Sequence, residues 1–139
     1  MLGGRAEVAL RRAGTIGDGI QTTGTGPDGY ADMAAVVRAA ARDAGRPEPI
    51  FQARCQVLFD QPARGFYALA GSAGQMLADV GAFRERGVSH IAVDLRETDP
   101  DHVVAAMERF DREIVAQVRA DDGATATLAD GADDGAAAG

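Results

Sequence analysis

Helical and strand patterns alternate along this chain of 139 residues, and glycine or proline stands at most changes from one to the other. The clearest strand is 50–59, in which the apolar Phe51, Ala53 and Cys55 alternate with polar residues. The helix before it ends at Gly45, because the Arg-Pro-Glu-Pro run that follows forbids its continuation. The full order is helix, strand, helix, strand, helix, strand, helix. Single-helix crossovers predict parallel strands in right-handed β-α-β units.

Start and stop signals separate the predicted elements. Ser72 and Gln75 form a capping box that opens the third helix, and Gly87 closes it. Residues 60–71 are predicted to form a long loop, and Ile16 is expected on the buried side of the first helix. The predicted helices are 5–16, 27–44, 73–86 and 100–120, and the predicted strands are 19–23, 50–59 and 88–95.

A glycine- and threonine-rich segment, 22–26, precedes the second helix. Gly24 and Gly26 are expected to leave backbone N–H groups unobstructed at the helix N-terminus, where unpaired donors suit an anion or a polar ligand. The alternative is an ordinary loop between a strand and a helix. Before the first predicted strand, Gly14, Gly17 and Gly19 are expected to serve the reversal of the chain from helix into strand.

Length and composition limit the chain to one modest domain with a single core, over residues 1–120. The final segment, 121–139, consists mainly of Ala, Gly, Asp and Thr and is predicted to be a disordered acidic tail. The formal net charge is −7, but much of the acidity lies in this tail, so the folded part is close to neutral. No basic face is therefore expected for nucleic acid or for an anionic membrane.

Cysteine and histidine usage excludes several kinds of site. The single cysteine excludes an internal disulfide and fits a reducing compartment. No apolar run is long enough to span a bilayer and no signal peptide is recognised, so a cytoplasmic protein is expected. The two histidines, His90 and His102, offer neither a Ser/His/Asp triad nor a metal-ligand spacing, and no metal is expected.

Strict alternation leaves two architectures, an open doubly wound sheet or a β/α barrel. An open sheet usually carries a GxGxxG motif after its first strand, whereas this chain offers only Gly24-Thr25-Gly26. That difference favours the barrel, although three strands cannot close one. The chain is therefore expected to form part of a barrel.

Four sequence features occur in a recognisable order between residues 2 and 119. They are Gly3-Gly4 before an Ala/Arg-rich helix, a Gly-Asp-Gly at 17–19, a Gly-Ser-x-x-Gln helix start at 71–75 and the phrase FRERGVSHIAVDL at 83–95. In combination they resemble the luciferase-like monooxygenase superfamily, which includes flavin-dependent and deazaflavin (F420)-dependent oxidoreductases on an eight-stranded β/α barrel. The resemblance rests on their order more than on any one of the four.

The resemblance implies an α/β fold in which parallel β/α units form the C-terminal half of a TIM-type barrel, followed by the disordered tail. It implies a fragment that begins at the end of the fifth barrel strand. In such families the first four strands hold much of the cofactor ring site and the usual acid/base candidates. No catalytic residue is therefore assigned, and the isolated chain is expected to be inactive.

The implied function is hydride transfer between a small organic substrate and F420, or monooxygenation with reduced FMN and oxygen. The absence of lysine is typical of the kind of source in which deazaflavins are common, and on that ground it favours F420. The alternative is a non-catalytic half-barrel that acts as an assembly or binding module. Two unpaired strand edges and an apolar inner sheet face would then drive homo-oligomerisation or pairing with a complementary half-barrel.

Candidate site residues follow from the rule that the loops after the strands of a β/α barrel carry function. By resemblance, Gly3 and Gly4 let the backbone approach the phosphate-bearing side chain of the cofactor, and the alternative is a role in the turn only. The loop after the first predicted strand is expected to contact substrate through Thr22, Thr23, Gly24 and Thr25. Sugar-phosphate-oxidising relatives carry a lysine near the place of Thr25, which argues against a sugar phosphate substrate.

Arg54 lies on the side of its strand that is expected to face the barrel axis. A buried guanidinium needs an anionic partner, and the candidates are Asp94 and a cofactor phosphate. Cys55 alternates onto the apolar side and is expected to pack rather than to act as a nucleophile. Phe66 and Tyr67 are expected either to cover a ligand or to fill a gap in the core.

Overall fold

The computed structural model describes residues 2–123, in which helices and strands alternate as predicted, except that a short strand precedes the first helix and two consecutive strands precede the third. The strands are β1 (Leu2–Gly3), β2 (Gly19–Thr23), β3 (Ile50–Phe59), β4 (Ala68–Gly71) and β5 (Val88–Asp94). The helices are α1 (Glu7–Ile16), α2 (Pro27–Asp43), α3 (Ala73–Glu85) and α4 (Pro100–Phe110). The chain divides into two compact units, Met1–Arg96 and Glu97–Gly139.

The first unit is built on a parallel sheet in which β1, β2, β3 and β5 lie side by side. β2 and β5 occupy opposite edges of β3, because residues such as Ala53 pair with both. β1 and β5 each have one edge that pairs with no other strand among the described residues. The predicted parallel β/α arrangement is confirmed.

The loop predicted between the second strand and the third helix contains a strand that the sequence pattern did not reveal. β4 pairs in parallel with residues 56–59 of β3, beyond the end of β2. Its Ala-Leu-Ala-Gly sequence is too short and too uniformly apolar to show alternation, and Ala68 and Leu69 are buried. The N–H of Asp60 donates to the carbonyl of Gly71 at 2.8 Å, which adds a bond to the β3–β4 pair just after β3 ends.

The two faces of the sheet differ in polarity. The face toward the helices carries the alternating apolar residues of β3, each at most 4% exposed: Phe51, Ala53, Cys55 and Val57. The opposite face, called here the axis face, is mostly polar and carries Gln21, Thr23, Gln52, Arg54, Gln56, His90, Ala92 and Asp94. The expectation of an apolar inner face is wrong, because alternation sends the apolar residues of these strands to the helix side.

α2 packs on this sheet through a row of buried residues that includes Tyr30 and Val37. The Tyr30 ring meets Phe51 of β3 and Phe83 of α3 edge-on, with ring centroids 6.3 and 5.9 Å apart. Its Oη donates to the carbonyl of Gln52 at 2.9 Å. Tyr30 therefore ties α2 both to the sheet and to the next helix.

α1 and α2 approach each other closely at Gly14. A Cβ on this glycine would lie 2.3 Å from the Val37 carbonyl oxygen and 2.7 Å from the Ala40 Cβ. Gly14 is therefore needed for the contact between two helices and not, as expected, for the turn that follows α1. The expected burial of Ile16 is also wrong, since it is 57% exposed and α1 buries Leu10 and Gly14 instead.

Local signals in the sequence set the ends of other elements. The capping box that opens α3 is confirmed, because the Ser72 N–H donates to Gln75 Oε1 at 2.8 Å and the Gln75 N–H donates to Ser72 Oγ at 3.3 Å.

Before β2, Asp18 pairs with Arg46 at 2.9 Å. A Cβ on Gly19 would lie 2.6 Å from the backbone of β3, so this turn serves packing at the end where the strands begin.

The second unit is one continuous helical segment where the structure describes it. Asp99 caps α4 by accepting from two backbone N–H groups at 3.0 and 3.3 Å. α4 continues through a π-helical turn, Asp111–Val115, into a helix over 116–123. The helix therefore passes the predicted start of the tail at 121, and the remaining tail residues, 124–139, lie outside the described part. Within that described part, no helix has the length and apolar character needed to cross a bilayer.

Candidate functional site

A cleft of about 490 Å³ opens on the axis face where β2, β3 and β5 end. It is called here the carboxyl-end cleft, and its walls are formed by Gly4, Arg5, Thr23, Gly24, Arg54, Gln56, Phe66, Tyr67, Asp94 and Arg96. In parallel α/β folds, this end of the sheet is where ligands bind. The cleft is therefore the candidate functional site.

Three arginines and one carboxylate set the charge of the cleft: Arg5, Arg54, Arg96 and Asp94. Arg54 Nη2 lies 3.5 Å from Asp94 Oδ2 on the neighbouring strand. Arg5 Nη1 donates to the Gly24 carbonyl at 3.4 Å, which links the loops after β1 and β2. The cleft thus carries an excess of positive charge in a chain whose net charge is −7, and it can attract an anionic ligand.

Of the two candidate partners of Arg54, the structure confirms Asp94, but the expected burial of Arg54 is wrong. The Arg54 side chain is 53% exposed, against 27% for Asp94. Both residues lie on the axis face, which is open to solvent, so the guanidinium is not desolvated. An exposed pair of this kind contributes about 0–1 kcal/mol to stability. Arg54 can therefore exchange Asp94 for a ligand anion at little cost to the fold.

Asp94 also shapes the turn that follows β5. Its Oδ1 accepts from the Arg96 N–H at 3.1 Å, and Arg96 has a φ of 56°. A non-glycine residue rarely adopts this left-handed conformation, which costs on the order of 1–3 kcal/mol. Backbone strain of this kind is concentrated at ligand sites, and here it accompanies an arginine on the cleft wall.

Gly4 lines the cleft, whereas Gly3 does not. Gly4 has a φ of 126°, which glycine alone adopts readily, and a Cβ there would lie 3.0 Å from the Ala9 Cβ. Gly3 lies in β1 and pairs with Gln21. Gly4 thus makes the turn between β1 and α1 and also presents exposed backbone to the cleft. The two roles that the sequence left as alternatives are compatible.

The residues expected to bind substrate separate into two pairs. Thr23 and Gly24 line the cleft. Thr22 is 2% exposed and points to the helix side, because alternation sends it opposite to Thr23. Thr25 lies outside the cleft lining. The buried hydroxyls of Thr22 and Thr25 have no hydrogen-bond partner among the described residues. Neither threonine therefore belongs to the candidate site.

Aromatic side chains from the loop after β3 lie against the glycines that precede α2. A Cβ on Gly26 would lie 2.7 Å from the Tyr67 ring. A Cβ on Gly24 would lie 3.0 Å from the Phe66 Cβ. The two glycines therefore make room for these aromatic side chains, a packing role that the sequence did not indicate.

Tyr67 is held from two sides. Its Oη donates to Asp79 Oδ2 at 2.7 Å, and its ring meets Phe83 edge-on at a centroid distance of 5.6 Å. Burial raises the pKa of Tyr67 well above its ordinary value, and the hydrogen bond to the Asp79 carboxylate raises this pKa further. The hydroxyl therefore stays protonated at neutral pH and serves as a hydrogen-bond donor rather than as a base.

Arg5 is a cleft residue that the sequence did not single out, whereas Arg96, the first residue after the third predicted strand, follows from the rule that loops after strands carry function. Arg5 directly follows Gly4, just after β1 ends. That position is the signal by which Arg5 could have been found. Nothing in the sequence showed that Arg5 and Arg96 would lie in one cleft with Arg54.

His90 and Cys55, both in the first unit, take no part in the cleft. His90 lies on the axis face outside the cleft lining, with Nδ1 at 2.9 Å from Ser89 Oγ. Cys55 is 1% exposed, and burial raises the pKa of its thiol to about 11, in keeping with the expected packing role. Over residues 2–123, no group of three or more His, Cys, Asp or Glu side chains could hold a metal ion.

Known proteins match this chain in fold and not in sequence. No family profile and no curated protein matches it. An F420-dependent secondary alcohol dehydrogenase in complex with an F420-acetone adduct superposes with a TM-score of 0.65 at 15% identity, over 82% of this chain and 47% of that one. The coenzyme F420 dependent tetrahydromethanopterin reductase from Methanopyrus kandleri superposes with a TM-score of 0.67 at 13% identity, over 83% and 49%.

The chain has the luciferase-like fold. It spans about half the length of the two solved structures that it matches. The expected fold, parallel β/α units that form half of a TIM-type barrel, is thereby confirmed. In this luciferase-like half-barrel, the carboxyl-end cleft lies at the end of the strands where β/α barrels place their ligands.

Proposed function

We propose that this chain is the C-terminal part of a luciferase-like oxidoreductase that uses the deazaflavin F420. The observation that carries the proposal is the convergence of Arg5, Arg54 and Arg96 in the carboxyl-end cleft. The two solved structures described above are F420-dependent enzymes by name. The proposed reaction is hydride transfer between a small organic substrate and the cofactor. A cytoplasmic setting is inferred from the single, buried cysteine.

The cleft residues fit the phosphate-bearing side chain of such a cofactor. Three guanidinium groups can donate to phosphate oxygens, and Gly4 presents backbone without a side chain. We assign Gly4 and Arg54 to the phosphate, with Arg5 and Arg96 as further donors. Gly3 supports this arrangement by pairing β1 with β2. When bound, a deazaflavin supplies the ring position that accepts or releases a hydride.

The residues of this chain are proposed to bind and orient the reactants. Thr23 and Gly24 share the cleft and are assigned to the organic substrate. Asp94, the one carboxylate on the cleft wall, is engaged by Arg54 and by the backbone of Arg96, so we do not assign it as a base. Tyr67 stays protonated because of its raised pKa. The acid/base group is therefore proposed to belong to the complementary half of the barrel.

Titration of the purified chain with F420 and with FMN tests the proposal, with cofactor fluorescence as the signal. Saturable binding that is tighter for F420 supports the deazaflavin, and tighter binding of FMN supports flavin-dependent monooxygenation. Arg54→Ala should weaken binding because it removes a phosphate donor. Arg12→Ala, at an exposed arginine of α1 outside the cleft lining, is the matched control. Absence of binding of both cofactors overturns the proposal for this chain.

A second candidate function is that of an assembly module. The outer edges of β1 and β5 pair with no strand among the described residues, and α1 exposes Val8 and Ile16 by 79% and 57%. In a closed barrel, neighbouring β/α units cover such edges and helix faces. We propose that a complementary half-barrel, a second copy or a separate segment, covers them in the assembled protein.

Gel filtration with light scattering tests the assembly module. A dimer or larger species at micromolar concentration supports it, and substitution of Val8 and Ile16 by Ser should then return the chain to monomer. A monodisperse, stable monomer overturns self-assembly. That result leaves the cofactor proposal in place, because the cleft residues all belong to one copy of the chain.

A further inference from the structure

Phe66 lines the carboxyl-end cleft with most of its side chain in solvent. It is 70% exposed, whereas Phe51 and Phe83 are at most 2% exposed. An aromatic ring gains free energy by leaving water, so an exposed ring on a cleft wall still offers contact surface to a ligand. Gly24 sets the place of this ring, because a Cβ there would lie 3.0 Å from the Phe66 Cβ and 3.4 Å from ring atoms.

Tyr67, the next residue, anchors Phe66 to the fold. Its hydroxyl donates to Asp79 at 2.7 Å, and its ring meets Phe83 edge-on. Its ring also fills the space over Gly26, where a Cβ would lie 2.7 Å away. The two consecutive aromatic residues therefore have different roles: Tyr67 is fixed on the core side, and Phe66 is left facing solvent in the cleft.

The loop that carries Phe66, residues 60–67, joins two paired strands and is exposed in its middle. It leaves β3 after Phe59 and enters β4 at Ala68, and these strands pair in parallel. Positive φ angles of 56° and 75° occur in this loop at Asp60 and Gly65. Residues 61–66 are all exposed. The exposed part of the loop is therefore available to a ligand in the cleft.

We propose that Phe66 is a specificity-determining residue that packs on the planar ring of a ligand whose anionic group is bound by the arginines of the cleft. The ligand class is a planar ring bearing a phosphate or carboxylate. This inference rests on the proposed function, because it concerns the same cleft and a deazaflavin or flavin belongs to this class. A gap-filling role, the alternative from the sequence, does not account for a side chain that is 70% exposed.

Two probes distinguish binding of the ligand's ring from binding of its anionic group. The ring probe is whichever of F420 and FMN binds the wild-type chain, and inorganic phosphate carries charge alone. Phe66→Ala should weaken binding of the ring probe about tenfold and leave phosphate binding unchanged, because it removes a contact face and no hydrogen-bond donor. Phe66→Tyr should restore binding of the ring probe. Arg54→Ala should weaken binding of both probes.

Val104→Ala is the matched control, since it truncates an exposed apolar side chain of α4 outside the cleft lining and should change neither affinity. Equal binding of the ring probe by wild type and Phe66→Ala overturns the inference and leaves the proposed function in place. Equal loss of both probes in Phe66→Ala also overturns it, because Phe66 would then act only by holding the loop. A wild-type chain that binds neither F420 nor FMN overturns both.

Tyr67→Phe tests the anchor separately. It keeps the ring on Phe83 and removes the hydrogen bond to Asp79. Faster amide exchange over 61–66 is expected, with a smaller loss of ring-probe affinity than in Phe66→Ala. Exchange rates equal to those of the wild type would overturn the positioning role of Tyr67.

Discussion

Arg54 on β3 and Asp94 on β5 pair at 3.5 Å across neighbouring strands, on the face of the sheet that is open to solvent. Asp94 also accepts from the backbone N–H of Arg96 at 3.1 Å, so one carboxylate engages two of the three arginine residues of the cleft. A bound anion would compete with Asp94 for the Arg54 guanidinium. Among the residues that line the cleft, Asp94 alone supplies negative charge to offset the arginines.

Arg54→Ala should change the free energy of unfolding by no more than about 1 kcal/mol, because the pair is exposed to solvent. A buried salt bridge that loses one partner would instead cost about 3–5 kcal/mol. Urea unfolding of wild type and variant distinguishes the two values. A loss in the higher range would show that Arg54 is desolvated in solution.

Asp94→Asn should tighten phosphate binding several-fold, because it removes the competing negative charge beside Arg54. The amide oxygen of asparagine can still accept from the Arg96 N–H, so the turn after β5 should persist. Phosphate titration of the two proteins checks the change. Weaker binding in the variant would mean that the carboxylate orients Arg54 for the ligand.

Gly14→Ala should destabilise the fold by roughly 1–3 kcal/mol, because the new methyl group would overlap Val37 and Ala40 of α2. Gly81, within α3, is the matched control, because a Cβ at this position would meet no neighbouring atom within 4 Å. Gly81→Ala should stabilise by about 0.5–1 kcal/mol through helix propensity. Thermal unfolding of both variants gives the comparison, and a neutral Gly14→Ala would contradict the close approach of α1 and α2.

Tyr30 should make the fold sensitive to alkali. Burial raises the pKa of Tyr30 from 10.0 to about 12, so the native state holds this proton more tightly than the unfolded chain. The contribution of protonated Tyr30 to the free energy of unfolding is fully present below about pH 10 and is lost as the pH rises toward about 12. Urea unfolding across this range should show a steeper decline for wild type than for Tyr30→Phe. Parallel declines would assign the sensitivity to other groups.

Cys55 should be inert in the native state. Its side chain is 1% exposed, and burial raises the thiol pKa to about 11, so little reactive thiolate is present or accessible at neutral pH. An aromatic disulfide reagent should react far more slowly with the native chain than with the urea-unfolded chain. Comparable rates in the two states would show that the helix side of β3 opens readily.

The sequence by itself determined most elements and suggested one contact of the site. The Ser72–Gln75 capping box and the alternation of β3 act over a few residues, so each is visible in the local pattern. Alternation also assigned Arg54 to the axis side and made Asp94 a candidate partner. β4 was not predicted because four residues are too few to display the alternation of a strand.

Only the tertiary structure decided which residues form the cleft. Arg5, Arg54 and Arg96 stand on different β/α units and come together because crossover helices align the ends of parallel strands. Tyr67, from the loop after β3, fills the space over Gly26 that the sequence had left to a ligand. Such outcomes depend on which side chain occupies which space after long-range packing, and no short-range pattern carries that information.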